Sequence, residues 1–399
     1  MQYLLLPVRV ALSLMPQKSG RPKKLVGLFP ELLGVGGIQE ASRLTAAALN
    51  AIAARHDNWA TSFLSINDGA GEHDFEVDSQ RVSLRGFNRS KVRFVASALD
   101  QSKEDVRVAL AAHPNLALPI ALMKWRSPGI KTIVMSHGVE VWKRLSGLRH
   151  RALLSADLVL APSNDTAKRL AEVQDVPAAK IRKLAWPLNP DFLRMADDPV
   201  NLPSLQDFPD GRVVLTVGRW AASERYKGLD ELIRAIAELL PKFPGLYLAA
   251  VGNGDDLSRL QQIAHDLAIS GSVRFLTNLS REQIAACYAR SEIFALPSTG
   301  EGFGLVFLEA MAFGKPLIAA ACGGSTDIVQ DRVSGLLVPP HNLKGLIEAL
   351  SRLLENSALR MELGRRGAEI VRQQYSFEVF QSQLERIVEE CGMDSSVTR

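Results

Sequence analysis

The chain has 399 residues, 47% hydrophobic and 23% charged, with 47 Lys and Arg against 43 Asp and Glu for a formal charge of +4. That balance excludes a disordered or fibrous chain and, at roughly 150 residues per domain, predicts two domains. Three scattered cysteines, Cys287, Cys322 and Cys391, contain no C-x-x-C spacing and exclude a disulfide framework or a cysteine zinc cluster.

The earliest apolar stretch, 4–15, is broken by Pro7 and Arg9. It falls short of the roughly 18 residues a spanning helix needs and lacks the charge placement and cleavage site of a secretory signal. A cytoplasmic protein is expected, with 1–23 as an N-terminal extension. From there, short apolar runs alternate with 3.6-period segments, the pattern of parallel sheets with crossover helices. Over 24–189 strands are predicted at 25–29, 60–64, 81–84, 106–111, 131–135, 158–161 and 181–185, with helices including 38–55, 92–99 and 165–173. The Pro-, Asn- and Asp-rich stretch 187–209 breaks the alternation, so 190–210 reads as an interdomain linker.

The alternation restarts over 211–374. Strands are predicted at 213–217, 246–251, 273–276, 293–296, 316–320 and 335–338. Helices are predicted at 229–240, 255–267, 282–289, 306–313, 342–354, 358–373 and, within the last segment 375–399, 377–390. The expected fold is α/β, two doubly wound Rossmann-like domains facing across a cleft, with ligands at the carboxyl ends of the strands. Residues 1–200 carry 27 Lys and Arg against 19 Asp and Glu, whereas the rest carry 20 against 24. A basic first half suits an anionic partner or is simply a solvated face.

The segment 297–316, PSTGEGFGLVFLEAMAFGKP, is the most informative. A strand ends at Pro297, a glycine-rich turn follows, and a helix begins near Leu305, so its first amides form an anion site suited to a diphosphate. Gly302 and Gly304 let the backbone approach closely. Glu301 and Glu309 stand up to ~12 Å apart along a helix, too far to share a metal but suited to bracketing a long ligand. Glu309 sits in the apolar run 305–312, where an idle carboxylate would be costly. Arg219 follows the strand 213–217 and Lys227 precedes the next helix, giving a guanidinium fork and a movable point charge. Alone, such a pair more often marks a solvated surface.

Gly34-Val35-Gly36-Gly37 also follows a strand and opens a helix, but Gln39 stands where the dinucleotide fingerprint needs its third glycine. His137 lies in a Ser/Gly turn after strand 131–135, and a lone histidine there is more often structural. No Walker A, G-x-S-x-G or H-E-x-x-H occurs.

Over roughly 25–390, and most strongly over 213–338, the sequence resembles a family 4 retaining glycosyltransferase of the GT-B fold. Glu301 and Glu309 match the family's E-x7-E, Arg219 and Lys227 its Arg/Lys pair, and 294–298, Gly314-Lys315-Pro316, Gly323-Gly324 and 335–338 extend the match. The resemblance implies that Arg219, Lys227 and the amides of Leu305 and Val306 hold a donor diphosphate, that Glu309 takes the ribose, and that Phe275 and Thr277 flank the base. It further implies that Glu301 and His137 lie against the transferred hexose as the catalytic pair. Gly36 and Gly37, with Phe303 and Gly304, become the sugar and acceptor loops, and 377–390 the helix that crosses back onto the first domain. The donor is then a nucleotide-diphosphate sugar, with no cofactor and no metal, and the acceptor a glycan or lipid-linked molecule in cell-envelope synthesis. No nucleic-acid partner is expected.

Two departures stand out: Asn189-Pro190-Asp191-Phe192 replaces the family's interdomain Asn-Gly-hydrophobic-Asp, and Asp327 stands where Glu is usual. The rival readings are a non-hydrolysing UDP-sugar 2-epimerase and a non-catalytic nucleotide-sugar-binding module. The run 85–94 interleaves Arg85, Arg89, Lys91 and Arg93 with Phe87, Val92 and Phe94, and with Lys124, Arg126, Lys131, Lys143, Arg144, Arg149 and Arg151 it suggests a basic, partly aromatic surface for peripheral contact with an anionic membrane.

Overall fold

Residues 22–392 are described in a computed structural model. The expected N-terminal extension lies almost wholly outside the described residues.

The first half runs β1 (Lys23–Phe29), α1 (Gly37–Arg55), β2 (Trp59–Ser65), β3 (Gly71–Val77), β4 (Gln80–Gly86), α2 (Lys91–Gln101), β5 (Val106–Ala111), α3 (Ala117–Arg126), β6 (Lys131–Met135), α4 (Gly147–Ser155), β7 (Leu158–Ala161), α5 (Asn164–Glu172) and β8 (Ile181–Lys183). Its sheet order is β3-β4-β2-β1-β5-β6-β7-β8, parallel throughout except for the antiparallel edge strand β3. β3, Gly-Glu-His-Asp-Phe-Glu-Val, lies outside the predicted elements because it is a largely exposed, acidic edge strand. The turn Asp78-Ser79, with φ of 48° and 62°, fixes its pairing with β4, since two left-handed residues match the twist of a tight hairpin.

α6 (Pro190–Asp197) then occupies the expected linker. The stretch reads as a breaker, yet the Asn189 side chain accepts from the Asp191 amide at 2.8 Å and Pro190 takes the first helical position, where its missing N–H costs nothing.

The second half runs β9 (Arg212–Val217), α7 (Leu229–Leu239), β10 (Leu246–Val251), α8 (Leu257–Asp266), β11 (Val273–Leu276), α9 (Arg281–Arg290), β12 (Ile293–Leu296), α10 (Leu305–Ala312), β13 (Leu317–Ala320), α11 (Ser325–Ile328), β14 (Gly335–Val338), α12 (Leu343–Glu355), α13 (Ser357–Gln374) and α14 (Phe377–Glu390). Its sheet is wholly parallel in the order β11-β10-β9-β12-β13-β14. Strands covered on both faces need apolar residues at successive positions, which is why β9 reads Arg-Val-Val-Leu-Thr-Val and β12 Ile-Phe-Ala-Leu, almost all buried.

Strand order reverses between β1 and β5 in one sheet and between β9 and β12 in the other. Such switch points open crevices at the carboxyl ends of the strands. α14 returns to the first half and packs on α1, where the Glu385 carboxylate meets Arg55 at 2.7 Å and His56 at 3.2 Å.

One expectation is corrected here. Phe87 and Phe94 are buried, edge to face at 5.5 Å, because Phe94 is the core-facing residue of the amphipathic helix α2. The aromatic residue exposed on the neighbouring helix α3 is Trp125, at 82%.

Candidate active site

Both switch points contribute to one cleft. After β12, Pro297–Gly304 turns into α10, whose cap Gly304 has φ 101°. The amides of Leu305 and Val306 open that helix and have no intrahelical acceptor, while the Phe307 amide closes onto the Gly304 carbonyl at 3.0 Å. After β9, Arg219 leaves the strand end and Lys227 returns beside the same turn. The Lys227 ammonium lies 2.9 Å from the Glu301 carboxylate and 3.9 Å from Glu224. Arg219 also pairs with Glu224. The Thr299 amide donates to the Tyr226 carbonyl at 2.8 Å, tying the two loops together.

Glu309 sits one turn into α10 and accepts from the Tyr288 hydroxyl at 2.8 Å. Burial pushes its carboxyl up to about 7, Tyr288 draws it back, and Glu40 and Arg281 act in opposite directions. Phe275 and Thr277 stand at the end of β11, two strands from β9. They line a groove of about 610 Å³ with Phe208 and Leu279, apart from the Arg219–Lys227 cluster. The Phe303 side chain is buried against Tyr375, ring centres 6.1 Å apart, so only its main chain faces the turn.

The first half supplies the opposite wall. The His137 ring donates from Nε2 to the Ala112 carbonyl at 2.7 Å, which leaves Nδ1 as the acceptor of the neutral ring. It stacks between Trp186 at 5.3 Å and His113 at 5.9 Å. Burial, ahead of the charges around it, lowers His113 to about 4, so at neutral pH it adds no positive charge beside His137. A methyl group at Gly37 would lie 3.8 Å from Leu305 Cδ1, so the Gly36-Gly37 loop faces the start of α10 across the cleft.

At Gly138 and Gly302 the halves meet main chain to main chain. A Cβ at Gly302 would sit 2.1 Å from the His137 carbonyl oxygen, and one at Gly138 2.4 Å from Gly302 Cα. The Ser163 hydroxyl, which caps α5, donates to the Gly302 carbonyl at 2.8 Å. Asp327 accepts from the Asn164 amide at 3.0 Å, so this departure from the family pattern serves the contact between halves.

Three further residues, Asp68, Arg43 and Glu40, had no local signature in the sequence. The buried Asp68 carboxylate accepts from the Leu32 amide at 2.7 Å, the Leu33 amide at 3.1 Å and the Ser65 hydroxyl at 2.5 Å. Arg43 donates to the carbonyls of Leu32 and Gly34 at 2.8 and 2.7 Å. It also holds Glu40, which reaches Asn189 and, at 3.1 Å, Arg281 of the second half. Together they fix the loop that carries Gly36 and Gly37. Among the described residues no group of His, Cys, Asp and Glu is arranged to hold a metal ion.

Two facing doubly wound domains with their ligand crevice between them have the GT-B architecture of glycosyltransferases. The family description "Glycosyl transferases group 1" matches residues 200–370, and "Glycosyltransferase Family 4" matches 58–191. A D-inositol 3-phosphate glycosyltransferase of Corynebacterium jeikeium is 33% identical over 217 residues, 53% of this chain and 52% of the relative, so the chain spans about half that protein's length. A GDP-mannose-dependent alpha-(1-6)-phosphatidylinositol monomannoside mannosyltransferase of Mycolicibacterium smegmatis is 33% identical over 268 residues, 63% of this chain and 69% of the relative. Anabaena HepE, solved in complex with UDP-glucose, superposes with a TM-score of 0.70 over 92% of this chain and 99% of its own, at 18% identity, a likeness of fold. The chain belongs to glycosyltransferase family 4.

Proposed function

We propose that the chain is a retaining hexosyltransferase that moves a hexosyl group from a UDP- or GDP-linked sugar to a glycan or lipid-linked acceptor of cell-envelope polysaccharide or glycolipid synthesis. The observation that carries this reading is the convergence of Arg219, Lys227, Glu301 and the open amides of α10 at one switch point, with His137 and Gly37 across the cleft. In this reading 24–189 serves the acceptor, 211–374 the donor, and 375–399 ties the two together.

Breaking the sugar–phosphate bond leaves extra negative charge on the diphosphate. Arg219, Lys227 and the Leu305 and Val306 amides meet it with preorganised positive groups, the work a metal does elsewhere. Glu309 accepts the ribose hydroxyls, Phe275 and Thr277 flank the base, and Glu301 turns to the hexose when phosphate takes Lys227. His137, its ring fixed through Nε2, presents Nδ1 to the transferred sugar. Closure of the halves excludes water and limits hydrolysis of the donor. A calorimetric panel of UDP-, GDP- and ADP-sugars tests the site, and absence of binding to all of them overturns it. Transfer is expected to survive EDTA, whereas loss restored by Mg²⁺ or Mn²⁺ contradicts the metal-free reading. Conversion of the donor without any acceptor would favour the epimerase, and binding without turnover the non-catalytic module.

The lipid-linked acceptor is favoured by the outer face of the first half. α2, α3 and α4 pack side by side there and expose Val92 at 81%, Trp125 at 82% and Leu148 at 63% among Lys91, Arg93 and Arg149. Apolar side chains ringed by cations suit an anionic bilayer surface, each near-surface charge contributing ~1 kcal/mol. No helix among the described residues is long and apolar enough to cross a membrane. Salt-sensitive binding to phosphatidylglycerol vesicles, weakened by Lys91→Glu with Arg93→Glu and by Trp125→Ala, is the expected result. No binding at low salt leaves a soluble acceptor as the reading.

A further inference from the structure

The cations that face the donor side of the cleft are not free. Arg219 pairs with Glu224, and Lys227 lies 2.9 Å from Glu301 and 3.9 Å from Glu224. Two positive and two negative side chains thus form one cluster of zero net charge. Its members differ in exposure: Glu224, Lys227 and Glu301 side chains are 12%, 13% and 13% exposed, whereas Arg219 is 73% exposed. The buried partners interact in a weaker dielectric than the outer guanidinium does. A fixed carboxylate therefore sits within reach of the two cations that a diphosphate would have to recruit.

Glu301 has a second task in the reading above, against the sugar. Glu224 has none, and it is not needed to hold its own loop, because that loop is tied down by main-chain contacts. The Thr299 amide bonds the Tyr226 carbonyl, and Gly228 closes the turn with φ 72° onto Pro297. What Glu224 does instead is accept from Arg219 while its other carboxylate oxygen stands 3.9 Å from the Lys227 ammonium, whose hydrogen bond goes to Glu301.

We infer that Glu224 is an internal counter-ion that the donor diphosphate displaces and that recaptures Arg219 and Lys227 as the product leaves. The inference rests on the assignment of Arg219 and Lys227 to the diphosphate. The product nucleoside diphosphate carries one more ionisable charge on its terminal phosphate than the sugar-bearing donor, so a nearby carboxylate repels the product more than the donor. Glu224 biases the site toward release after transfer, at the expense of affinity for both ligands.

The test is titration calorimetry of UDP, GDP, UDP-glucose, GDP-mannose and inorganic pyrophosphate against the wild-type chain, Glu224→Gln, Glu224→Ala and Lys227→Ala. Their melting curves are recorded alongside. Glu224→Gln keeps the shape and removes the charge, and should tighten the nucleoside diphosphate and pyrophosphate about threefold to tenfold, and the nucleotide sugars by less. Product inhibition should deepen in step. Glu224→Ala should move affinity in the same direction. If Lys227→Ala weakens binding but neither Glu224 variant tightens it, or if both weaken it, Glu224 is a positioning residue for Arg219 and the inference falls alone. If no variant changes affinity for any of the five ligands, the assignment of the diphosphate site falls with it.

Discussion

Two glycine turns leave a strand and open a helix, one on each wall of the cleft, and they are supported in opposite ways. Gly34–Gly37 before α1 is held from within the first half, by Arg43 on the Gly34 carbonyl, Asp68 on the Leu32 and Leu33 amides, and Glu31 and Gln39 against Gly34 and Gly36, and its tip is open, with Val35 99% exposed. Gly300–Gly304 before α10 is gripped on several sides. Gly138 and Ser163 reach it from the other half, and Gly323 and Gly324 press on it within its own half. The same device therefore yields a cap whose outer surface can meet varied molecules and a cradle with one geometry. Openness at the first turn fits an acceptor, and confinement at the second fits a diphosphate, whose charge must be met at fixed points.

The largest expected effect falls on the confined turn. Gly302→Ala places a methyl group 2.1 Å from the His137 carbonyl, a contact that only separation of the halves relieves, so transfer should drop about a hundredfold while circular dichroism stays native. Asp68→Ala strips acceptors from two amides and a hydroxyl under the open turn and should cost about 3 kcal/mol in urea unfolding. An unaltered midpoint would erase the contrast drawn between the turns. Lys227→Ala and Glu309→Ala should each weaken nucleotide-sugar affinity by about 1.5–3 kcal/mol with the fold intact, read by calorimetry.

Glu309 also gives a pH signature. Its carboxyl stands at about 7 in the folded chain against 4.5 as the reference value, so the folded state holds its proton more tightly. This group's contribution to stability then declines as pH rises from 4.5 through about 7. Glu309→Gln removes that decline, and its melting temperature should exceed the wild type's above pH 7 but not near pH 4.5, even as donor binding suffers. The smallest effect is on the open turn: Gly37→Ala meets only Leu305 at 3.8 Å and should shift stability by no more than about 0.5 kcal/mol in a thermal melt.

These turns also differ in how much of them could be read from the sequence. The strand–turn–helix at 297–312, Glu301, Glu309, Arg219 and Lys227 are legible because the anion site proposed for them draws on strand ends, helix amides and charges carried on the same short segments. Apart from the exposed edge strand β3, both sheets were legible because burial on two faces writes continuous apolar runs, and α14 was legible because Phe377, Phe380, Leu384, Ile387 and Val388 recur at helical spacing. Asp68, Arg43 and Glu40 were not legible, because they act on residues brought to them only by folding: the Asp68 carboxylate serves amides more than 30 positions earlier in the chain. The helix α6 escaped because Asn-Pro is both a turn signal and a helix-start signal, and only the closed cap decides between them. Glu224 reads as an ordinary surface acid until its partners are seen.

Where Gly138 meets Gly302, neither half can be altered without consulting the other. The fit consists of two missing side chains and two hydroxyls, of Ser163 and Thr166, that read one carbonyl across the gap. A hybrid that borrows its second half from a relative would fail to engage the first half unless glycine stood at the position of Gly302 and an acid could reach the Asn164 amide. Shuffling of halves within the family is thereby restricted to partners that share this seam.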